Sequence, residues 1–121
     1  MNINKKPCYV FDIDGTLADI EHRLHHIKEK PKNWKQFFRD CVYDTPIEYM
    51  CSLAGMISHN YHIVCITGRT EDIREQTEEW LKNVAMLRID RLYMRGIRDH
   101  RPDYETKAGP AEEVCKDGFE P

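Results

Sequence analysis

Residues 10 to 17 read VFDIDGTL: an apolar run ends on Asp12, a second carboxylate follows at Asp14, and Gly15 and Thr16 turn the chain. Such a run reads as a buried strand, and side chains two apart on a strand point the same way. Asp12 and Asp14 are therefore expected to share one small volume. Two carboxylates so placed repel, and the site is tolerable only if one takes up a proton or a cation joins them. Mg²⁺ meets this need, because it takes oxygen ligands while keeping waters and phosphate oxygens in its shell. The implied chemistry is an Asp nucleophile acting on a phosphoryl group, with the neighbouring Asp as general acid and base. The plainer reading is a hairpin, since Asp-Gly favours a two-residue turn. A hairpin needs an alternating run straight after Gly15, and the sequence has none.

The rest of the chain alternates between two periods. Leu17, Ile20, Leu24 and Ile27 recur at spacings of three and four, which predicts a helix directly after the glycine turn. A helix there would set free backbone N–H groups beside the two acids, an arrangement suited to an anion. A second helix is expected from about Pro46 to His59, with Pro46 in its first turn. The strand-like stretch Tyr61 to Ile66 then leads into Thr67, Gly68 and Arg69. Ile73, Thr77, Trp80, Leu81 and Val84 mark another helix, with Thr70 as its N-cap, and Leu92, Tyr93 and Met94 another strand. Because Pro110 disfavours a helix interior, the last helix is expected to start near Gly109, leaving Lys107 on the preceding loop.

Strands alternating with helices imply an α/β fold with a parallel sheet and right-handed crossovers. Ligands in such sheets bind at the carboxyl ends of strands, where Asp12 and Thr67 would both lie. The segment from about Ile20 to Tyr43 is expected to form a small helical cap over that site. With no repeat, low-complexity stretch or linker, residues 1–121 read as one domain.

The motif VFDIDGTL resembles the first signature of the haloacid dehalogenase superfamily of phosphotransferases. The resemblance implies a three-layer Rossmann-like fold and assigns the second signature to Thr67, whose hydroxyl would meet the phosphate together with Gly15 and Gly68. Lys107, in DYETKAG, falls where the third signature lies, and its ammonium would act as a point charge between nucleophile and phosphate. More narrowly, VFDIDGTLADIEHRL, NWKQFF, ITGRTEDIREQTEEWL and LYMRGIRDHRPDYETK resemble the 3'-phosphatase domain of phage-type polynucleotide kinase and small bacterial and phage phosphatases like it. That resemblance implies Mg²⁺ as cofactor, with Asp12 and the backbone carbonyl of Asp14 as metal ligands, and it sets Arg69, Arg95, Arg98 and Arg101 beside the substrate. Nothing resembles the Gly-rich phosphate loop of a kinase.

One departure from the superfamily pattern concerns the metal site. The fourth signature, one or two Asp residues after a further buried strand, has no counterpart: after Lys107 only Asp117 follows, in EEVCKDGFEP, and GFEP looks like the approach to that strand. The expectation is a fold lacking its last motif-bearing strand, as in a truncated copy or fragment. Loss of one charged ligand would weaken metal affinity by about 10- to 100-fold or more. Alternatively a residue elsewhere replaces the lost ligand: Asp19, Asp72 and Asp99 are the candidates, though each also reads as an ordinary turn or first-turn acid. A sheet missing that strand would expose an edge open to self-association.

The net charge of -3 gives no general attraction to nucleic acid, but its distribution is uneven. From His22 to Arg39 there are six Lys or Arg residues against the single acid Glu29, with Trp34, Phe37 and Phe38 interleaved. This suits a polynucleotide or nucleotide partner if the aromatics are exposed, and an ordinary solvated helix face if they are buried. Cys8, Cys41, Cys51, Cys65 and Cys115 show no C-x-x-C spacing, so most are expected to be small buried hydrophobes in a reducing, cytoplasmic setting. No leader-like or membrane-spanning apolar run is present in the sequence.

Two functions follow. One is a Mg²⁺-dependent phosphomonoester hydrolase working through an aspartyl-phosphate on Asp12, acting on a polynucleotide 3'-phosphate or a nucleotide. The other is a catalytically inactive module of the same fold that binds polynucleotide ends, nucleotides or a protein partner.

Overall fold

Residues 63–66 are between 0 % and 6 % exposed, and a strand with no solvent face requires cover on both sides. The computed structural model, which describes residues 6–97 and 103–121 with 103–108 by backbone alone, supplies that cover. The strands are β1 (Lys6–Phe11), β2 (Ala18–Asp19), β3 (Thr45–Pro46), β4 (His62–Thr70), β5 (Arg91–Arg95) and β6 (Phe119–Glu120). The helices are α1 (His25–Lys28), α2 (Trp34–Arg39), α3 (Glu48–Ile57), α4 (Arg74–Asn83) and α5 (Asp103–Lys116), with 3₁₀ turns at Glu21–Arg23, Asp40–Tyr43 and Glu71–Ile73.

The main sheet runs β5-β4-β1-β6, and every pairing in it is parallel. Phe11, Ile63, Cys65, Leu92 and Met94 face one way and pack with Cys51 and Ala54 of α3 and Trp80 and Leu81 of α4. Cys8, Val64, Ile66 and Tyr93 face the other way and pack with Val114 of α5 and with Phe119. The sheet is thus a middle layer between helices, as the α/β reading expects. Residues in GFEP do begin a parallel strand, β6, in register with Lys6 and Pro7 of β1. Among the described residues, no helix is long and apolar enough to cross a membrane.

Four local expectations are corrected. The apolar stripe after Thr16 does not form one helix: Ala18 and Asp19 pair antiparallel with Thr45 and Pro46, and only Glu21–Arg23 and His25–Lys28 are helical. Leu17 and Ala18 are both fully buried, so their spacing reports burial around a tight turn rather than a helix face. Pro46 belongs to β3, not to the first turn of α3. β4 extends through Thr67, Gly68 and Arg69 to Thr70, its register shifting between Ile66 and Thr70, so the polar Thr-Gly-Arg stretch is a bulge, not the strand's end. α5 begins at Asp103, which puts Lys107 within a helix and Pro110 inside it. Gly109 precedes the proline and has no Cβ to meet its ring, which eases the usual restriction before Pro.

The amino end of β4 is fixed by a reciprocal clamp. Ile63 N–H donates to Asp90 Oδ2 at 2.8 Å while Asp90 N–H donates to the Ile63 carbonyl at 2.8 Å, and His62 Nδ1 lies 3.1 Å from Asp90 Oδ1. Burial works against the Asp90 charge, but the Ile63 and His62 hydrogen bonds outweigh it and hold Asp90 below the usual carboxylate value of 3.8. A carboxyl lowered on folding adds stability above its unfolded value, and that stability disappears as pH falls through the lower folded value. Urea denaturation of Asp90→Asn against the parent is therefore expected to show a stability gap at neutral pH that narrows once the pH falls below 3.8 and through the lower folded value. A gap independent of pH would show that the Asp90 charge plays no part.

Candidate active site

Ile13, fully buried, anchors the turn that follows β1. Its carbonyl accepts the N–H groups of Thr16, Leu17 and Ala18 at 3.1, 2.9 and 2.9 Å, while Gly15 N–H donates to the Ala18 carbonyl at 2.9 Å. Gly15 sits at φ +81°, where a side chain is strained. The expected run of free amides beside the acids is therefore replaced by a turn whose N–H groups close on the chain itself. Asp12 is half-buried, and its Oδ1 accepts the Ile13 N–H at 2.8 Å.

Asp14 is held quite differently. Arg23 Nη2 donates to its Oδ1 at 2.9 Å, and Arg69 donates to the same oxygen through Nε at 2.9 Å and Nη2 at 2.7 Å. Both arginines have 0 % exposure. Behind them lies Asp44, also buried, which takes Arg23 Nε at 2.8 Å, Arg23 Nη2 at 2.9 Å and Arg69 Nη2 at 3.0 Å. His22 Nε2 lies 2.6 Å from Asp44 Oδ1, Arg69 Nη1 donates to Thr77 Oγ1 at 3.2 Å, and Trp80 Nε1 donates to the Asp44 carbonyl at 2.8 Å. Two guanidiniums and two carboxylates thus form a balanced cluster. Burial works against the Arg23 charge, but the Asp44 hydrogen bond and the Asp14 and Asp44 charges hold Arg23 above its ordinary value.

The bulge in β4 makes this cluster reachable. Thr67 is 4 % exposed, and its Oγ1 accepts the Arg69 N–H at 3.2 Å, which leaves the hydroxyl proton available to donate. Gly68 occupies the bulge between Thr67 and Arg69. Of the residues expected to face substrate, Arg69 is instead interior, and its donors are engaged by Asp14, Asp44 and Thr77. Arg95 ends β5 half-buried, paired with Thr70 in the ladder. Arg98 and Arg101 lie outside the described residues, as does the side chain of Lys107.

Asp117 stands at the other end of the sheet from Asp12 and Asp14, where the metal site was expected. It precedes β6, which pairs with Lys6 at the start of β1, and it accepts the Tyr93 hydroxyl. Asp19 accepts the Glu21 N–H at 3.0 Å, the ordinary turn role expected of it. Four cysteines are buried and Cys115 is exposed. Burial pushes the Cys65 thiol up to about 12, with the Asp12 charge adding to the effect, so Cys65 is no nucleophile.

Arg23 and Asp44 were not singled out from the sequence, and Thr77 was read there only as part of a helix stripe. Arg23 sat in a stretch counted as surface charge, and Asp44 before Thr45-Pro46 has the composition of a loop. The available signal was Arg23 within the predicted apolar stripe between Ile20 and Leu24.

The parallel sheet, its helical layers and the Asp-x-Asp turn at the carboxyl end of β1 define a Rossmann-like α/β phosphatase domain of the haloacid dehalogenase type. The family described as the polynucleotide kinase PNKP phosphatase domain matches residues 6–120, and the chain belongs to that family. Two solved structures share the fold. "Structure of the Pnkp1/Rnl/Hen1 RNA repair complex" aligns with TM-score 0.79 and 23% identity over 98% of this chain and 35% of that chain. "Structure of Pnkp1/Rnl/Hen1 complex" aligns with TM-score 0.73 and 24% identity over 93% of this chain and 36% of that one. The chain spans about a third of the length of these proteins. No curated protein sequence matches it.

Removing one member of a buried ion cluster leaves its partners charged and uncompensated, at a cost of about 3–5 kcal/mol. Asp44→Ala strands Arg23 and Arg69 together and is expected to lower unfolding stability by about that amount in urea denaturation. A loss below about 1 kcal/mol would show that the two arginines find other compensation.

Proposed function

We propose that the chain is a Mg²⁺-dependent phosphomonoester hydrolase acting on polynucleotide 3'-phosphates or nucleotides, with residues 1–121 acting as one domain and about 20–43 as its cap. The observation that carries this reading is the grip of buried Arg23 and Arg69 on Asp14, two residues beyond Asp12, in a chain of the phosphatase-domain family. Asp12 would attack phosphorus, forming an O–P bond as the bond to the leaving oxygen breaks. Asp14 would give its proton to that oxygen, then take a proton from the water that hydrolyses the aspartyl-phosphate, releasing inorganic phosphate and restoring both residues.

All three arginine bonds on Asp14 fall on Oδ1. This supports Oδ2 as the atom that carries the transferable proton, with the carboxyl plane fixed by the two guanidiniums. Arg69 is then a positioning residue rather than a substrate contact. Thr67 and Lys107 would hold the phosphate, and Gly15 and Gly68 would shape the turn and bulge around it. Arg95, Arg98 and Arg101 would face the rest of the substrate.

The donor set suits a magnesium ion in one respect: it offers the Asp12 carboxylate and the Asp14 backbone carbonyl, hard oxygens of the kind Mg²⁺ takes while keeping waters and substrate oxygens. Asp14 Oδ1 is taken by the two guanidiniums, so Oδ2 is the oxygen of that side chain left for ligation or proton transfer. A bound Mg²⁺ would neutralise charge between Asp12 and the phosphate. Four buried thiols support a reducing, cytoplasmic setting.

The test is phosphate release from a 3'-phosphorylated oligonucleotide with Mg²⁺, set beside Asp12→Asn and a metal-free control. Release is expected from the parent alone and should fall to background in both controls, with the circular dichroism of Asp12→Asn unchanged. Release that persists in Asp12→Asn removes the aspartyl-phosphate mechanism. No release from folded parent protein favours the non-catalytic binding module.

A further inference from the structure

The cations between residues 22 and 39 divide into two populations. Arg23 is interior, whereas Lys28, Lys30, Lys32, Lys35 and Arg39 are exposed, with Glu29 the one acid in that span. The aromatics divide as well. Phe37 is 5 % exposed and Phe38 packs partly against the main core, but Trp34 keeps 48 % of its surface. The indole is nonetheless held in place. Its ring lies 6.0 Å from Phe38 at an interplanar angle of 27° and 5.7 Å from Phe37 at 89°. Lys32 Nζ stands 5.9 Å from the indole ring centre.

This surface is mechanically joined to Asp14. Arg23 Nη1 donates to the Phe37 carbonyl at 3.2 Å, the Arg23 guanidinium lies 4.3 Å from the Phe37 ring centre, and Arg23 Nη2 grips Asp14. One side chain therefore separates α2 from the proposed proton donor. A cleft of about 480 Å³ opens between α2 and the turn following β4, bounded by Lys35, Phe38 and Arg39 on one side and Asp72 and Gln76 on the other.

A rigid, half-exposed indole among cations is poorly explained as a solvated helix face, because the apolar ring gains nothing from water. It suits a polyanion that carries flat rings, since every nucleobase has a face to stack and every linkage a charge to neutralise. We propose that Trp34, with Lys32, Lys35 and Arg39, is the platform on which a single-stranded polynucleotide lies while its terminal phosphate enters the site. This deepens the phosphatase reading and rests on it for the direction of the strand.

The two tryptophans make the test direct, because Trp80 is 2 % exposed and tied to Asp44 while Trp34 is open. Asp12→Asn protein, chosen to block turnover, is titrated with a short 3'-phosphorylated oligothymidylate, with inorganic phosphate and with polyglutamate. The oligothymidylate is expected to quench tryptophan emission saturably, and the other two to leave it unchanged. Trp34→Ala, added to Asp12→Asn and followed by the anisotropy of a fluorescein-labelled oligothymidylate, should weaken binding about 30-fold, the middle of the range for one base stacked on one ring. Lys32→Ala with Lys35→Ala should flatten the dependence of log affinity on log salt by about 0.7 for each phosphate that is no longer neutralised.

Absence of quenching by oligothymidylate overturns the platform, and so does equal quenching by polyglutamate, which would point to an acidic protein partner. In the active protein, Trp34→Ala should raise KM for the oligonucleotide while leaving hydrolysis of p-nitrophenyl phosphate unchanged. Quenching without phosphate release from the parent protein sinks the hydrolase and keeps the platform. Release with an unaltered KM in Trp34→Ala sinks the platform alone.

Discussion

Two fully buried arginines lie behind a half-exposed aspartate, and the carboxyl end of the sheet is organised around that fact. Taking a guanidinium out of water costs several kcal/mol unless its donors are satisfied and its charge balanced. Arg23 and Arg69 meet both conditions only because Asp14 and Asp44 are brought to them from separate parts of the chain. The cluster joins the turn after β1, the 3₁₀ turn at Glu21–Arg23, the residue before β3 and the bulge of β4. Through Thr77 and Trp80 it reaches α4 as well. An apolar core cannot fix such a geometry, because packed methyl groups tolerate rearrangement whereas bidentate guanidinium–carboxylate pairs set distance and plane.

That requirement explains why the chain after Thr16 is not one helix. A continuous helix from Leu17 would carry Arg23 wherever its helical phase dictated. The turn closed on the Ile13 carbonyl, followed by the two-residue pairing of β2 with β3, delivers Arg23 and Asp44 to the same place from opposite ends of the inserted segment. The bulge at Gly68 has the same logic. A regular strand would alternate Thr67 and Arg69 with their neighbours along a straight ladder, whereas the register shift between Ile66 and Thr70 gives Arg69 an approach to Asp14 that the flat ladder lacks.

Legibility in the sequence followed the range of the interaction. β1, β4 and β5, the helices α3 and α4, and the placement of Asp12 at the end of β1 came from local period and burial, which neighbouring residues encode, whereas the extension of β4 past Thr67 to Thr70 did not. Family membership was legible in VFDIDGTL and ITGR because those motifs are contiguous. The pairing of Arg23 with Asp44 across 21 residues was not, since a lone Arg and a lone Asp in polar stretches look the same whether they meet in the interior or stand in water. The aromatics of NWKQFF were ambiguous for a related reason. A six-residue helix is too short for its period to say which face is inward, and only packing against Arg23 and the core separates Phe37 from Trp34.

Under the proposed reading, the grip of Arg23 and Arg69 on Asp14 is what would separate its role from that of Asp12. Asp12 Oδ1 accepts the neighbouring Ile13 amide, and in that reading its carboxylate would be the one to approach phosphorus. A residue that passes a proton out and back must return to one geometry between the two transfers, and three charge-assisted bonds on a single oxygen of Asp14 impose that return. The order of the two acids within VFDIDGTL would thus put the proposed proton carrier at the position that Arg23 and Arg69 reach.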